Sequence, residues 1–142
     1  MILRALHLLA AVVWAGGMIS FTLVIMPALR QGLSPPQRQE WIRIIGRRYR
    51  VVGWTSIVIL LITGSLMAWS QGVEWDSGFG RVLSLKLALV GVMLVLTSLH
   101  DFVLGPRAAR TENLRGVVLW LARVNLLVVI AIILCGVWLA GV

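Results

Sequence analysis

The sequence predicts an all-α fold, an integral membrane four-helix bundle with up-down-up-down connectivity. Three observations point there. Hydrophobic residues make up 60% of the 142 residues and charged residues only 13%. Mean hydropathy is +0.98. The apolar residues also gather into four runs, roughly 5–29, 51–69, 82–104 and 116–142. A helix rises about 1.5 Å per residue, so about 20 apolar residues cross the hydrocarbon of a bilayer, and each run has that length. This composition excludes a soluble globular domain. Residues 1–142 are expected to form a single four-span transmembrane domain.

The first run, which opens RALHLLAAVVWAGG, is longer than the apolar core of a secretory signal and is followed by no A-x-A cleavage pattern. It is expected to remain in the mature protein. Before the second run, Ser34-Pro35-Pro36 breaks the chain, and Trp41, Ile42, Ile44 and Ile45 then alternate with arginines at helical spacing. A short amphipathic helix lying in the interface between spans 1 and 2 is expected there. Pro27 and the Gly105-Pro106 pair read as helix stops. Short connections make successive spans antiparallel neighbours. No internal repeat, low-complexity tract or second domain is expected.

Thirteen basic residues against five acidic ones give a net charge of +8. Arg30, Arg38, Arg43, Arg47, Arg48 and Arg50 crowd the first loop beside Glu40, and Arg107, Arg110 and Arg115 occupy the last. The middle loop instead carries Glu74 and Asp76 against Arg81. Positive loops face the cytoplasm, so both termini are expected outside a bacterial-type inner membrane. The arginines flank spans and form no basic face with stacking aromatics, which excludes nucleic acid as a partner. Trp69, Trp75 and Trp138 fall at the outer interface as belt anchors, whereas Trp14 and Trp54 lie deeper and either line the bundle interior or a flat planar ligand or simply pack. Small residues on the spans, Ala10, Ala11, Ala15, Gly16, Gly17, Gly53, Gly64 and Gly91, let helices approach closely and suit a homodimer. The single cysteine, Cys135, reads as a small packing residue.

Ionisable side chains inside spans are costly and mark function by default. Five stand out: His7, Lys86, His100, Asp101 and Arg123. The first and third spans run the same way, which puts His7 and Lys86 at similar depth toward the outer face, with Met67 near the same level. His100 lies 14 residues beyond Lys86, about 20 Å along the helix. A bis-histidine pairing of His7 with His100 about one small cofactor is therefore excluded. Lys86, Val90, Met93, Thr97 and His100 recur at three- and four-residue steps and form one inward stripe. At the inner end, Asp101 and Arg123 form either a structural ion pair or an anion site. At the outer end, imidazole, ammonium and thioether beside helix glycines resemble a cofactor pocket.

The first-span pattern LHLLAAVVWAGGMISFTLVIMPALR, the ITGSLMAW that ends the second span, and LSLKLALVGVMLVLTSLHDFVLGP in the third together resemble a known family. It is the CopD-like copper-resistance membrane domain, with its relative the HemJ-type protoporphyrinogen oxidase. The best-matched residues are His7, Trp14, Gly16, Gly17, Pro27, Lys86 and Leu87. Resemblance to the HemJ type implies b-type heme with His7 as axial ligand and Lys86 required nearby, as opposite ligand or as cation for a propionate. Met67 is then a further sixth-ligand candidate, Trp14 lines the planar ligand, and Arg123 serves a propionate if the heme sits deep. The activity implied is electron transfer or oxidation of a membrane-soluble substrate such as a tetrapyrrole, with quinone as acceptor. Resemblance to CopD implies the alternative, copper transport or copper handling through His7, Met67 and Cys135. A third reading is a structural membrane subunit whose polar residues only join helices.

Overall fold

The computed structural model describes residues 1–108 and 113–141. Arg110, one of the last-loop arginines of the topology reading, lies outside them. The described residues are helical almost throughout, and four helices are long and apolar enough to cross a membrane. They are α1, Ile2–Gly32; α2, Pro35–Ser70; α3, Gly78–Leu104, which runs on through Gly105–Ala108; and α4, Asn113–Gly141. The chain is all-α with four spans, and its large exposed side chains, such as Leu8, Leu9, Val12, Leu134 and Val137, are those that suit lipid.

Two expectations change. The amphipathic segment is not a separate helix: α2 is continuous from Pro35 to Ser70, and its first turns carry exposed Arg43, Arg47 and Arg48 opposite half-buried Ile42, Ile45 and Tyr49. The amphipathic pattern was real, but no residue after Pro36 breaks the helix. Its start is firm, because Gln37 Oε1 accepts from the Ser34 N–H at 3.2 Å and from the Ser34 hydroxyl at 2.8 Å, and prolines fill the first positions, where no donor is needed.

Nor do the later prolines stop their helices. A proline inside a helix lacks its N–H and crowds the carbonyl four residues back. Ahead of each proline the helix widens into a π-turn, Phe21–Ile25 before Pro27 and Leu99–Leu104 before Pro106. The Met26 N–H then bonds to Phe21 O and the Gly105 N–H to His100 O, one residue farther back than in an α-helix. The leftover residue is absorbed and the helix continues.

The described residues divide into two compact units, Met1–Gly72 and Val73–Val142. In the first, α1 and α2 form an antiparallel hairpin. Its contacts descend along α2 as they climb α1: His7 meets Thr63 and Gly64, Trp14 meets Gly53, and Gly17 and Phe21 meet Tyr49. Gly72, at φ +57°, ends the hairpin in the left-handed conformation that glycine adopts at little cost. In the second unit, Ser77 caps α3 by accepting from the Gly80 N–H at 3.0 Å, and α3 and α4 form another antiparallel hairpin in which Lys86 meets Gly136 and Thr97 meets Asn125.

The two hairpins share one internal register. Pro27 follows His7 by 20 residues and Pro106 follows Lys86 by 20, with a π-turn before each. The buried Trp14 and Met93 stand seven residues after His7 and Lys86. On the second helices, Thr63-Gly64 and Cys135-Gly136 are 72 residues apart, as are Ile57 and Val129, the two most deeply buried large side chains. The repeat escapes residue-by-residue reading because its landmark pairs, His7 and Lys86, Trp14 and Met93, and Thr63 and Cys135, differ in identity.

The neighbouring glycines of α1 separate close approach from mere flexibility. A Cβ at Gly17 would strike the Tyr49 ring, whereas one at Gly16 meets nothing. Gly17→Ala is expected to lower stability in detergent by about 1–3 kcal/mol, the usual range for overpacking, and to do so less in a Tyr49→Leu background. Gly16→Ala should leave the thermal midpoint unchanged.

Candidate functional site

His7 lies half-buried on α1 and faces α2 at Thr63 and Gly64. Thr63, 6% exposed, donates its hydroxyl hydrogen to the Ile59 carbonyl at 2.6 Å. Its oxygen is therefore left as acceptor toward His7 Nδ1 at 2.8 Å. With the Thr63 oxygen as acceptor the imidazole hydrogen sits on Nδ1, and in the neutral ring Nε2 then carries the lone pair, the form in which imidazole ligates a metal. Gly64 gives the ring its room, since a Cβ there would stand 3.3 Å from His7 Cε1.

The structure assembles the other expected residues in two places. Trp14, 8% exposed, closes the hairpin two turns below His7, over Gly53, where a Cβ would be 3.7 Å from the indole Cδ1. Met67 is half-buried on α2, one turn beyond Thr63 and on the same face. Lys86 belongs to the second hairpin: its Nζ lies 3.4 Å and its Cε 4.0 Å from where a Cβ of Gly136 would be, and Cys135 is within electrostatic reach of the amine. Arg123 lies exposed on α4, while Asp101 bonds the adjacent His100 at 2.9 Å from inside the π-turn.

The inward stripe of α3 faces α4. Met93 is 3% exposed, Thr97 donates to its sulfur at 3.7 Å, and Asn125 Nδ2 donates to Thr97 Oγ1 at 3.1 Å. Thr63 and Asn125 are the two functional-looking residues that sequence reasoning passed over. Both are lone uncharged polar residues in apolar runs, in ITG and VNLL, and a search for polar as well as ionisable residues within spans would have found them. Among the described residues no three of His, Cys, Asp and Glu converge on a point.

The family described as Copper resistance protein D, CopD, matches residues 43–139. This chain belongs to the CopD family. It is 31% identical over 134 residues to an uncharacterized protein of Aquifex aeolicus (strain VF5), covering 93% of this chain and 89% of that one. It is 29% identical over 110 residues to the Copper transport protein CutJ of Bacillus subtilis (strain 168). That match takes in 75% of this chain but only 19% of the much longer CutJ. No solved structure gives a significant match. The matched CopD region contains Thr63, Met67, Lys86, Met93, Asn125 and Cys135, while His7 precedes it.

Within this CopD-family hairpin the histidine and threonine depend on each other. Thr63→Val keeps the shape but strands the Nδ1 hydrogen, and should cost about 1–3 kcal/mol in detergent unfolding. Thr63→Ser, which keeps the hydroxyl, should restore most of the loss.

Proposed function

We propose that this CopD-family chain handles copper in the membrane and that His7 holds the ion through Nε2. The carrying observation is the hydrogen-bond relay from His7 Nδ1 through Thr63 Oγ1 to the Ile59 carbonyl, 2.8 and 2.6 Å long. Metal-bound histidines characteristically donate their other ring N–H to a fixed acceptor, which sets tautomer and ring orientation. Imidazole suits copper, and a thioether selects the monovalent ion; Met67, one turn along the face of α2 that carries Thr63, supplies the thioether. Trp14 packed on Gly53 makes a dry floor below the ring. The copper-transport name of CutJ supports the same reading.

The test is to titrate the detergent-purified chain with copper(I) under nitrogen and to record its visible spectrum, oxidised and reduced. Wild type should be colourless and bind copper(I). His7→Ala should lower the stoichiometry, and Thr63→Val should weaken binding by about 10–100-fold while Thr63→Ser does not. A Soret band that disappears in His7→Ala would instead give the imidazole to b-type heme, with Lys86 as second ligand or propionate cation and Arg123 as a further cation.

We infer the orientation from the arginines. Arg30, Arg43, Arg47, Arg48 and Arg107 lie toward the ends of their spans away from His7 and Lys86, and the preference of positive loops for the cytoplasm supports a site that faces outward and termini that lie outside. In a Cys135→Ala background, a membrane-impermeant thiol reagent applied to intact spheroplasts should label Asp76→Cys and spare Gln39→Cys. The reverse pattern would turn the site to the cytoplasmic side.

A further inference from the structure

Beside the seam of the first hairpin, Leu6, Leu9 and Val13 of α1 and Val52, Thr55 and Ile59 of α2 line an open groove of about 340 Å³. Several lining residues stand one place before residues that close the seam: Leu6 before His7, Val13 before Trp14, Val52 before Gly53. A step of one residue turns about 100° around a helix, and in an antiparallel pair it leads both helices to the same side of the seam. Gly16, Ser20 and Arg48 stand one place before Gly17, Phe21 and Tyr49, so they lie on the groove's side of the point where those three meet. The groove thus runs down to Arg48, with Arg47 next to it. Both arginines are exposed, and among the described residues neither meets a carboxylate, since Glu40 is taken by Arg43 at 2.9 Å. At Gly16 a Cβ would meet nothing within 4 Å, so the groove stays open toward its charged end.

We propose that this groove holds an anionic phospholipid, with the phosphate on Arg47 and Arg48 and one acyl chain lying between α1 and α2 as far as Leu6 and Ile59. Arg48 and Ile59 are 11 residues apart, about 16 Å along the helix. One leaflet holds about 15 Å of hydrocarbon, so the groove has the length of a chain anchored at its headgroup. A guanidinium takes phosphate oxygens in pairs through its fork of donors, and Ser20 brings a hydroxyl to the same side. The hairpin scaffold does not itself require such a mouth. Where the first hairpin has Gly16, Ser20 and Arg48, the second has Val95, Leu99 and Trp120 in the shared register. The lipid site involves no metal and stands whatever His7 binds.

The test is native mass spectrometry of the full-length chain in detergent, titrated with dioleoyl phosphatidylglycerol or with dioleoyl phosphatidylcholine, which has the same chains and no net charge. Wild type should retain one phosphatidylglycerol in preference to phosphatidylcholine. Arg48→Gln should lose about fivefold of that preference, the worth of one basic residue at an anionic headgroup. Arg48→Lys should keep most of it, and Arg107→Gln, at the end of another span, all of it. Gly16→Leu fills the groove and leaves the charges in place, and should weaken the binding of both lipids with the thermal midpoint unchanged. Glycerol phosphate, a headgroup without chains, should not displace the lipid. Equal retention of the two lipids overturns the site, as does an equal loss in Arg48→Gln and Arg107→Gln, which would mean diffuse surface charge. Displacement by glycerol phosphate, or lipid binding untouched by Gly16→Leu, likewise overturns it, since the groove would then play no part.

Discussion

In hydrocarbon no water is at hand to satisfy a polar group, so each must find its partner on the chain itself, and the organisation of this protein follows from that requirement. Backbone groups are satisfied by helices, and where proline removes a donor, the preceding turn widens to redistribute the bonds. Side chains are satisfied across helix pairs or back onto their own helix. His7 finds Thr63, Thr63 finds the Ile59 carbonyl, Asn125 finds Thr97, and Ser56 returns its hydroxyl to Val52 O at 2.9 Å. The hairpin is the smallest unit in which such pairings across helices can be made, and the chain is built of two.

The same requirement turns partners into chemistry. A threonine that gives its hydrogen to a carbonyl has only a lone pair left for its neighbour, and so it decides which nitrogen of His7 carries a proton. In water that choice would be traded among solvent molecules many times over; here it is held by two short hydrogen bonds on one face of α2. Asn125 is the complementary case, in which one end of the amide is satisfied and the other is not.

The four spans were legible because an apolar run long enough to cross a bilayer has no stable place in water, and the stripe of α3 was legible because helical periodicity survives any environment. His7, Trp14 and Lys86 could be singled out as inward-facing because their cost or size in a membrane demands shelter. Their partners were harder to see. Thr63 and Asn125 carry no charge and blend into apolar helices, and the role of Gly64 and Gly136 depends on which residue happens to lie across from them. Pro27 and Pro106 misled for a different reason: a proline forbids one hydrogen bond, but whether the chain then stops or widens depends on the tertiary support for continuing. The shared register became visible only in three dimensions, since a histidine and a lysine, or a threonine and a cysteine, are equivalent by place and not by type.

The π-turns have a further effect on how the helices present themselves. One surplus residue turns everything beyond it by about 100° around the helix axis, so each of the first helices is phased in two sections. The section before the turn is keyed to its hairpin partner, through Trp14 in one case and Met93 in the other. The section after it, ending near the exposed Arg30 and Arg107, is rotated out of that register. A single-residue deletion between Phe21 and Ile25 would thus act as a rotation and not a shortening, swinging Arg30 to a new bearing while His7 and Trp14 keep theirs. Such a turn lets the packing of one section and the bearing of the next vary separately, like two hands of a clock on one spindle.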